Sequence, residues 1–90
     1  MNTADTIRRI LAEKFQPTVL EIDDDSAAHA GHAGARQSGG GHFAVRIESE
    51  RFRGLGLVEQ HRLVNEALKD LLGDGKIHAL AITTRIPAKG

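Results

Sequence analysis

Residues 26–42, SAAHAGHAGARQSGGGH, form a run of Ala, Gly and Ser that carries His29, His32 and His42, three of the chain's five histidines. No apolar periodicity runs through it, so it cannot build core. A connection of that length in a small domain is usually functional or disordered. The interior of this 90-residue chain must therefore come from the segments on either side. A chain of this size makes one domain and buries roughly 60–65% of its unfolded surface. Phe15, Phe43 and Phe52 are its only aromatics, so aliphatic side chains have to supply most of the core.

Apolar spacing predicts five elements. Ile7, Ile10, Leu11 and Phe15 share one face of a 3.6-residue period, which predicts a helix over Thr3–Phe15, capped by Thr3 or Asp5 and stopped by Pro17. TVLEID, residues 18–23, alternates as a strand, with Leu20 and Ile22 on one face and Val19 and Glu21 on the other. His42–Glu48 alternates more cleanly: Phe43, Val45 and Ile47 against His42, Ala44, Arg46 and Glu48. That pattern predicts one buried and one wet face. Gly54 and Gly56 punctuate a turn over 51–56, with room for one short helical turn near 52–56. A main helix is expected over Leu57–Leu72, with Leu57, Val64, Leu68, Leu71 and Leu72 as its stripe and His61 in the same phase. Gly73-Asp74-Gly75 ends it. A last strand over Lys76–Thr84 puts Leu80 and Ile82 in one parity and Ala79 and Ala81 in the other.

The order is α-β-β-α-β. The first two strands can pair antiparallel, and the last helix can cross over to lay the third strand parallel to the second. The expected fold class is therefore α+β: a two-layer domain with a three-stranded mixed sheet, both helices on one face, and the other face open. One domain spans residues 1–90, with loose ends at 1–2 and 86–90 and a mobile histidine loop at 25–41.

Twelve basic and twelve acidic residues balance. Balanced charge argues against strong non-specific binding of polyanions while leaving room for a local patch. Arg46, Arg51, Arg53 and Arg62 are such a cluster in sequence, but Glu48, Glu50 and Glu59 interleave with them as on an ordinary solvated face. A helix preceded by a basic turn can engage phosphates. Gly54-Leu55-Gly56 is not the GXXG with which KH domains grip nucleic acid. Gly39-Gly40-Gly41 lacks the Lys and Ser/Thr of a phosphate loop. The absence of cysteine excludes disulfides, thiolate metal sites and a Cys nucleophile. No apolar run approaches the roughly 20 residues that span a membrane. MNTADTIRRI lacks the apolar stretch of a secretory signal. A soluble cytoplasmic protein with no membrane partner is expected. Asp23, Asp24 and Asp25 are a carboxylate run without an accompanying Ser/His/Asp arrangement, so no enzyme is expected.

The histidines carry the remaining chemistry, because imidazole is the commonest metal-binding side chain. His29 and His32 stand three residues apart among Gly and Ala, a spacing that would permit both to bind one metal ion; the bland alternative is exposed loop side chains. His78, at the start of the last strand, is either a ligand or a structural histidine bonded to a neighbour. His42 has the parity of the open sheet face, as a surface histidine or a supporting ligand, and His61 reads as a core-edge residue. No four-ligand zinc set is evident.

From about Val19 to Pro87 the chain resembles the BolA family. The resemblance rests on Asp24-Asp25-Ser26 with His29, Gly41-His42-Phe43, Phe52-Arg53-Gly54, His61-Arg62-Leu63-Val64 and Ile77-His78-Ala79-Leu80. Each piece is weak alone; their order and spacing together are specific. The resemblance implies a fold like the class II KH domain. It also implies partnership with CGFS monothiol glutaredoxins, the two proteins sharing a 2Fe–2S cluster for iron–sulfur trafficking or iron and redox regulation. By that resemblance His78 is the essential ligand and His29 the second, with His32 and His42 as further candidates and His61 at the interface or behind the ligands. Without a thiolate, the chain can give only imidazoles, so a glutaredoxin Cys and glutathione would bring the sulfur ligands. No cofactor is expected in the isolated chain, a monomer or weak homodimer. Histidine ligation raises the cluster potential relative to all-Cys sites. It also makes binding proton-sensitive, because histidine ligates only when neutral.

Some family members are DNA-binding transcriptional regulators of stress or morphology. For them the resemblance would make Arg51, Arg53 and Arg62 the contacts to duplex DNA. The chain departs from the family pattern in four places. Gln60-His61-Arg62 stands where Arg-His-Arg is frequent, removing one positive charge. Leu55-Gly56 stands where Ser is frequent near the helix start, with Gly still a tolerable cap. Asp25 replaces Glu, and His32 is an additional loop histidine. A third reading, a small metal- or pH-responsive module using the loop histidines alone, stands beside these two.

Overall fold

The computed structural model describes residues 2–24 and 41–88. Helix α1 spans Thr3–Phe15 and buries Ile7, Leu11 and Phe15. Its cap is Asn2 rather than Thr3 or Asp5: Asn2 Oδ1 accepts the Asp5 N–H at 2.8 Å. Thr3 already lies inside the first turn, so a cap has to precede it. The helix ends on Gln16, held at φ 42° with its N–H donated to the Ala12 carbonyl.

Strand β1, Val19–Asp24, pairs antiparallel with β2, Gly41–Glu48, from Val19 opposite Glu48 to Asp24 opposite Phe43. Strand β3, Ile77–Arg85, runs parallel to β2, giving the order β1-β2-β3. This is the mixed three-stranded sheet expected from the element order, with each strand shifted by one residue at one or both ends. Phe43, Val45, Ile47 and Ile77 are buried on one face, with Leu20, Ile22, Leu80 and Ile82 partly buried against the same cluster. Ile7 and Leu11 of α1 and Val64, Leu68 and Leu71 close that cluster from the helix layer.

The helix expected over Leu57–Leu72 is two pieces, α2 at Leu57–Ala67 and α3 at Lys69–Gly73. Leu68 separates them at φ −105° and ψ 10°, fully buried. Its N–H is shared between the Val64 and Asn65 carbonyls, a tightening typical of helix ends. The stripe differs too. Leu57 is 61% exposed, and Gln60 takes the inward position. Gln60 satisfies its amide there by donating to the Leu55 carbonyl at 2.8 Å and accepting from Thr84 Oγ1 at 2.6 Å. A buried amide is tolerated only when so paired; this one ties the start of α2 to β3.

The helical turn expected near 52–56 forms earlier, as a 3₁₀ turn over Glu50–Phe52. Ser49 caps it, fully buried, accepting the Arg51 N–H at 3.1 Å and donating Oγ–H to the Phe15 carbonyl at 2.6 Å. One hydroxyl thus caps the turn and satisfies the end of α1. Phe52 is fully buried, its ring centroid 5.3 Å from that of Phe15.

Candidate metal centre

The register between β2 and β3 contains one irregularity. Gly41 faces Ile77, but His42 faces Ala79, so His78 is an extra residue without an opposite number. Such a bulge re-aims side chains and bends the strand locally. Ile77 is 2% exposed under the helices, and Leu80 and Ile82 are partly buried on that same face. Between them His78 and Ala79 are both exposed. The bulge thus sets two consecutive residues on the open side of the sheet and returns Leu80 to the core.

His42, with the parity of the open face, stands beside His78. Their ring centroids are 5.3 Å apart and the planes 31° from parallel. His78 is exposed and His42 partly so. The residue before His42 must be small: a Cβ on Gly41 would overlap the ring of Phe43, itself 4% exposed. Further along the same face Ala44 lies opposite Ala81, with Asp23 across from Ala44. These residues, with Arg46 and Thr83, line a shallow depression of about 90 Å³. Small side chains therefore leave the sheet low next to the imidazoles.

His29 and His32 lie outside the described residues. The residues that flank the stretch carrying them, Asp24 and Gly41, belong to the same sheet end as His42 and His78, since Asp24 pairs with Phe43 and Gly41 with Ile77. His61 sits elsewhere. It is half-buried on α2, in the helix layer. Its carbonyl accepts the Asn65 side chain at 3.1 Å.

The arginines that cluster in the sequence come from a strand, a 3₁₀ turn with its cap, and a helix. Arg46 lies on the open sheet face, 3.1 Å from Glu21. Arg51 donates twice to Gln16 Oε1, at 2.7 and 3.2 Å, at the end of α1. Arg53 forks onto both oxygens of Glu50, at 2.6 and 2.8 Å, and also donates to the Pro87 carbonyl at 2.8 Å. The hydrogen bond to Glu50 raises the Arg53 pKa above the ordinary arginine value. Arg62 is exposed on α2.

A groove of about 590 Å³ between α1 and α2, lined in part by Lys14, Arg51, Leu63 and Lys69, is the larger concavity. Among the described residues that line it there is no histidine. Among the described residues no three of His, Cys, Asp and Glu converge as a metal set. Two imidazoles by themselves fall short of the four donors of a closed tetrahedral metal site. The bulge left one trace in the sequence: Ile77 and Leu80, both apolar, are three apart in a strand whose period is two. No helix among the described residues is long and apolar enough to cross a membrane.

Residues 11–89 match the model of a family described as BolA-like protein. A BolA-like protein of Dictyostelium discoideum is 46% identical over 83 residues, covering 92% of this chain and 69% of that protein. SufE-like protein 1 of Arabidopsis thaliana is 44% identical over 87 residues, covering 92% of this chain and 23% of that protein. A solved structure of the BolA domain of SufE1 from the same plant matches with a TM-score of 0.78 at 38% identity, covering 97% of this chain and 95% of that one. The structure of BolA1 from Arabidopsis thaliana matches with a TM-score of 0.79 at 34% identity, covering 100% of this chain and 98% of that one. The chain spans about two thirds of the Dictyostelium protein's length and under a quarter of SufE-like protein 1.

Proposed function

The chain belongs to the BolA-like protein family, and from that premise we propose that it partners a CGFS monothiol glutaredoxin and gives imidazole ligands to a shared 2Fe–2S cluster, in iron–sulfur trafficking or iron and redox regulation. The observation that carries this reading is the bulge that lifts His78 onto an exposed, small-residue face. A partner can approach there without displacing the helix layer.

The donor set fits such a cluster. Histidine can replace cysteine on one iron of a 2Fe–2S centre, whose other iron keeps thiolates. This chain has no cysteine, so its share of the ligands is nitrogen and the sulfur ligands come from the glutaredoxin Cys and glutathione. When bound, the cluster supplies a redox-active and transferable iron unit. His78 holds it from this side, and His29 or His32 supplies the second imidazole. Ala79, Ala44 and Ala81 leave the surface beside His78 low enough for a partner to close over it.

The test is reconstitution of the chain with a CGFS glutaredoxin, glutathione, iron and sulfide, followed by visible absorption and circular dichroism. A heterocomplex spectrum distinct from that of the glutaredoxin alone is expected. His78→Ala should return it to the glutaredoxin spectrum, and separate His29→Ala and His32→Ala variants should identify the second ligand. An unaltered heterocomplex spectrum in His78→Ala would overturn the reading.

A further inference from the structure

We propose that His42 and His78 together chelate one divalent ion of the Zn²⁺ type on this chain alone, without a partner protein. This goes beyond the shared cluster and has only His78 in common with it.

Geometry is the first argument. A tetrahedral ion about 2.0–2.1 Å from each coordinating nitrogen holds two imidazole centroids roughly 5 Å apart. The rings of His42 and His78 are 5.3 Å apart. Rotation about a metal–nitrogen bond changes the tilt of a ring without changing that separation, so the 31° between the planes sets no obstacle.

Preorganisation is the second. The two side chains come from neighbouring strands whose register is fixed by the β2–β3 ladder and its bulge. No backbone segment has to order for them to meet, so binding freezes only side-chain rotamers. A site that is already assembled loses less affinity to ordering.

The chemical class follows from the donors. Imidazole suits Zn²⁺, Cu²⁺ and Ni²⁺, whereas Mg²⁺ and Ca²⁺ select oxygen. Both rings reach solvent, and no third His, Cys, Asp or Glu joins them among the described residues. The ion would keep exchangeable positions occupied by water, as open zinc sites do and closed structural ones do not. A thiol or carboxylate from another molecule could enter those positions.

The test uses the full chain without an affinity tag. Zn²⁺ is titrated by calorimetry, Co²⁺ serves as the visible probe, and Mg²⁺ is the negative control. One equivalent of Zn²⁺ is expected to bind. His42→Ala and His78→Ala should each weaken it at least tenfold. His61→Ala and the double variant His29→Ala/His32→Ala should stay within twofold of the parent. Both members of the pair lie at the surface, so circular dichroism should show their alanine variants folded. Undiminished Zn²⁺ affinity in His42→Ala would overturn the proposal, as would loss of binding in the His29/His32 double variant or absence of a one-equivalent event. The glutaredoxin reconstitution is read separately on the same variants. Absence of Zn²⁺ binding in the parent chain with an intact His78-dependent heterocomplex spectrum removes only this inference; the converse removes only the function proposed above.

Discussion

Along β2, Phe43, Val45 and Ile47 are 4%, 2% and 1% exposed, while His42, Ala44 and Arg46, each one residue away, lie on the side away from α1, α2 and α3. The covered row is set by packing: its side chains share one buried cluster with residues of α1, α2 and α3, and volume decides what fits. On the open row none of α1, α2 and α3 packs above, so residue type is not constrained by that core and chemistry can be placed there at little cost to folding. Functional side chains thus sit on a rigid support without having to be part of it.

The comparison can be broken from either side. Ile47→Ala should produce the largest loss, about 2–5 kcal/mol, because it leaves a cavity in a filled core. Urea denaturation checks this, and a loss well under 1 kcal/mol would mean the covered face is not the stabilising one. Gly41→Ala should cost about 1–3 kcal/mol, the range for an overpacked site. Its added carbon meets the Phe43 ring, so it couples the two faces at one position. It should also move the imidazole resonances of His42 and His78; unchanged resonances and stability together would show that the pair does not depend on this close approach. Arg46→Ala should have the smallest effect, about 0.2–1 kcal/mol at most, since exposed ion pairs contribute little. Its side chain is 66% exposed beside Glu21 at 58%. Denaturation at low and high salt checks it, and a loss above about 2 kcal/mol would give the open face a structural role.

What could be read ahead of the structure was whatever local periodicity encodes. The alternation around Phe43, Val45 and Ile47 and the helical spacing of Ile7, Leu11 and Phe15 place β2 and α1 closely. Features that depend on distant partners were not legible. Gln60 is buried because Leu55 and Thr84 satisfy it, and no local pattern ranks it above Leu57. The break at Leu68 occurs without a Gly or Pro between Leu57 and Leu72. Asn2, Thr3 and Asp5 are all good capping types, so residue type alone does not select Asn2. In the site, His78 and the parity of His42 were visible, but their meeting depends on a parallel register between strands far apart in sequence. The arginines near 46–62 are neighbours in sequence, and which partners each takes, Glu21 for Arg46, Gln16 for Arg51 and Glu50 for Arg53, follows from the elements that carry them. His29 and His32 lie outside the described residues.

The extra residue of β3 makes length a stronger constraint than identity in one short stretch. Ile77 must enter the interior at one end while Leu80 and Ile82 do so further on, and in an unbulged strand a spacing of three would send them to opposite sides. Removing one residue between Ile77 and Leu80 would restore the period of two and keep both apolar groups inward, but it would take away the extra exposed position that His78 occupies. Insertions and deletions in homologous chains should fall outside this stretch, even where individual residues differ.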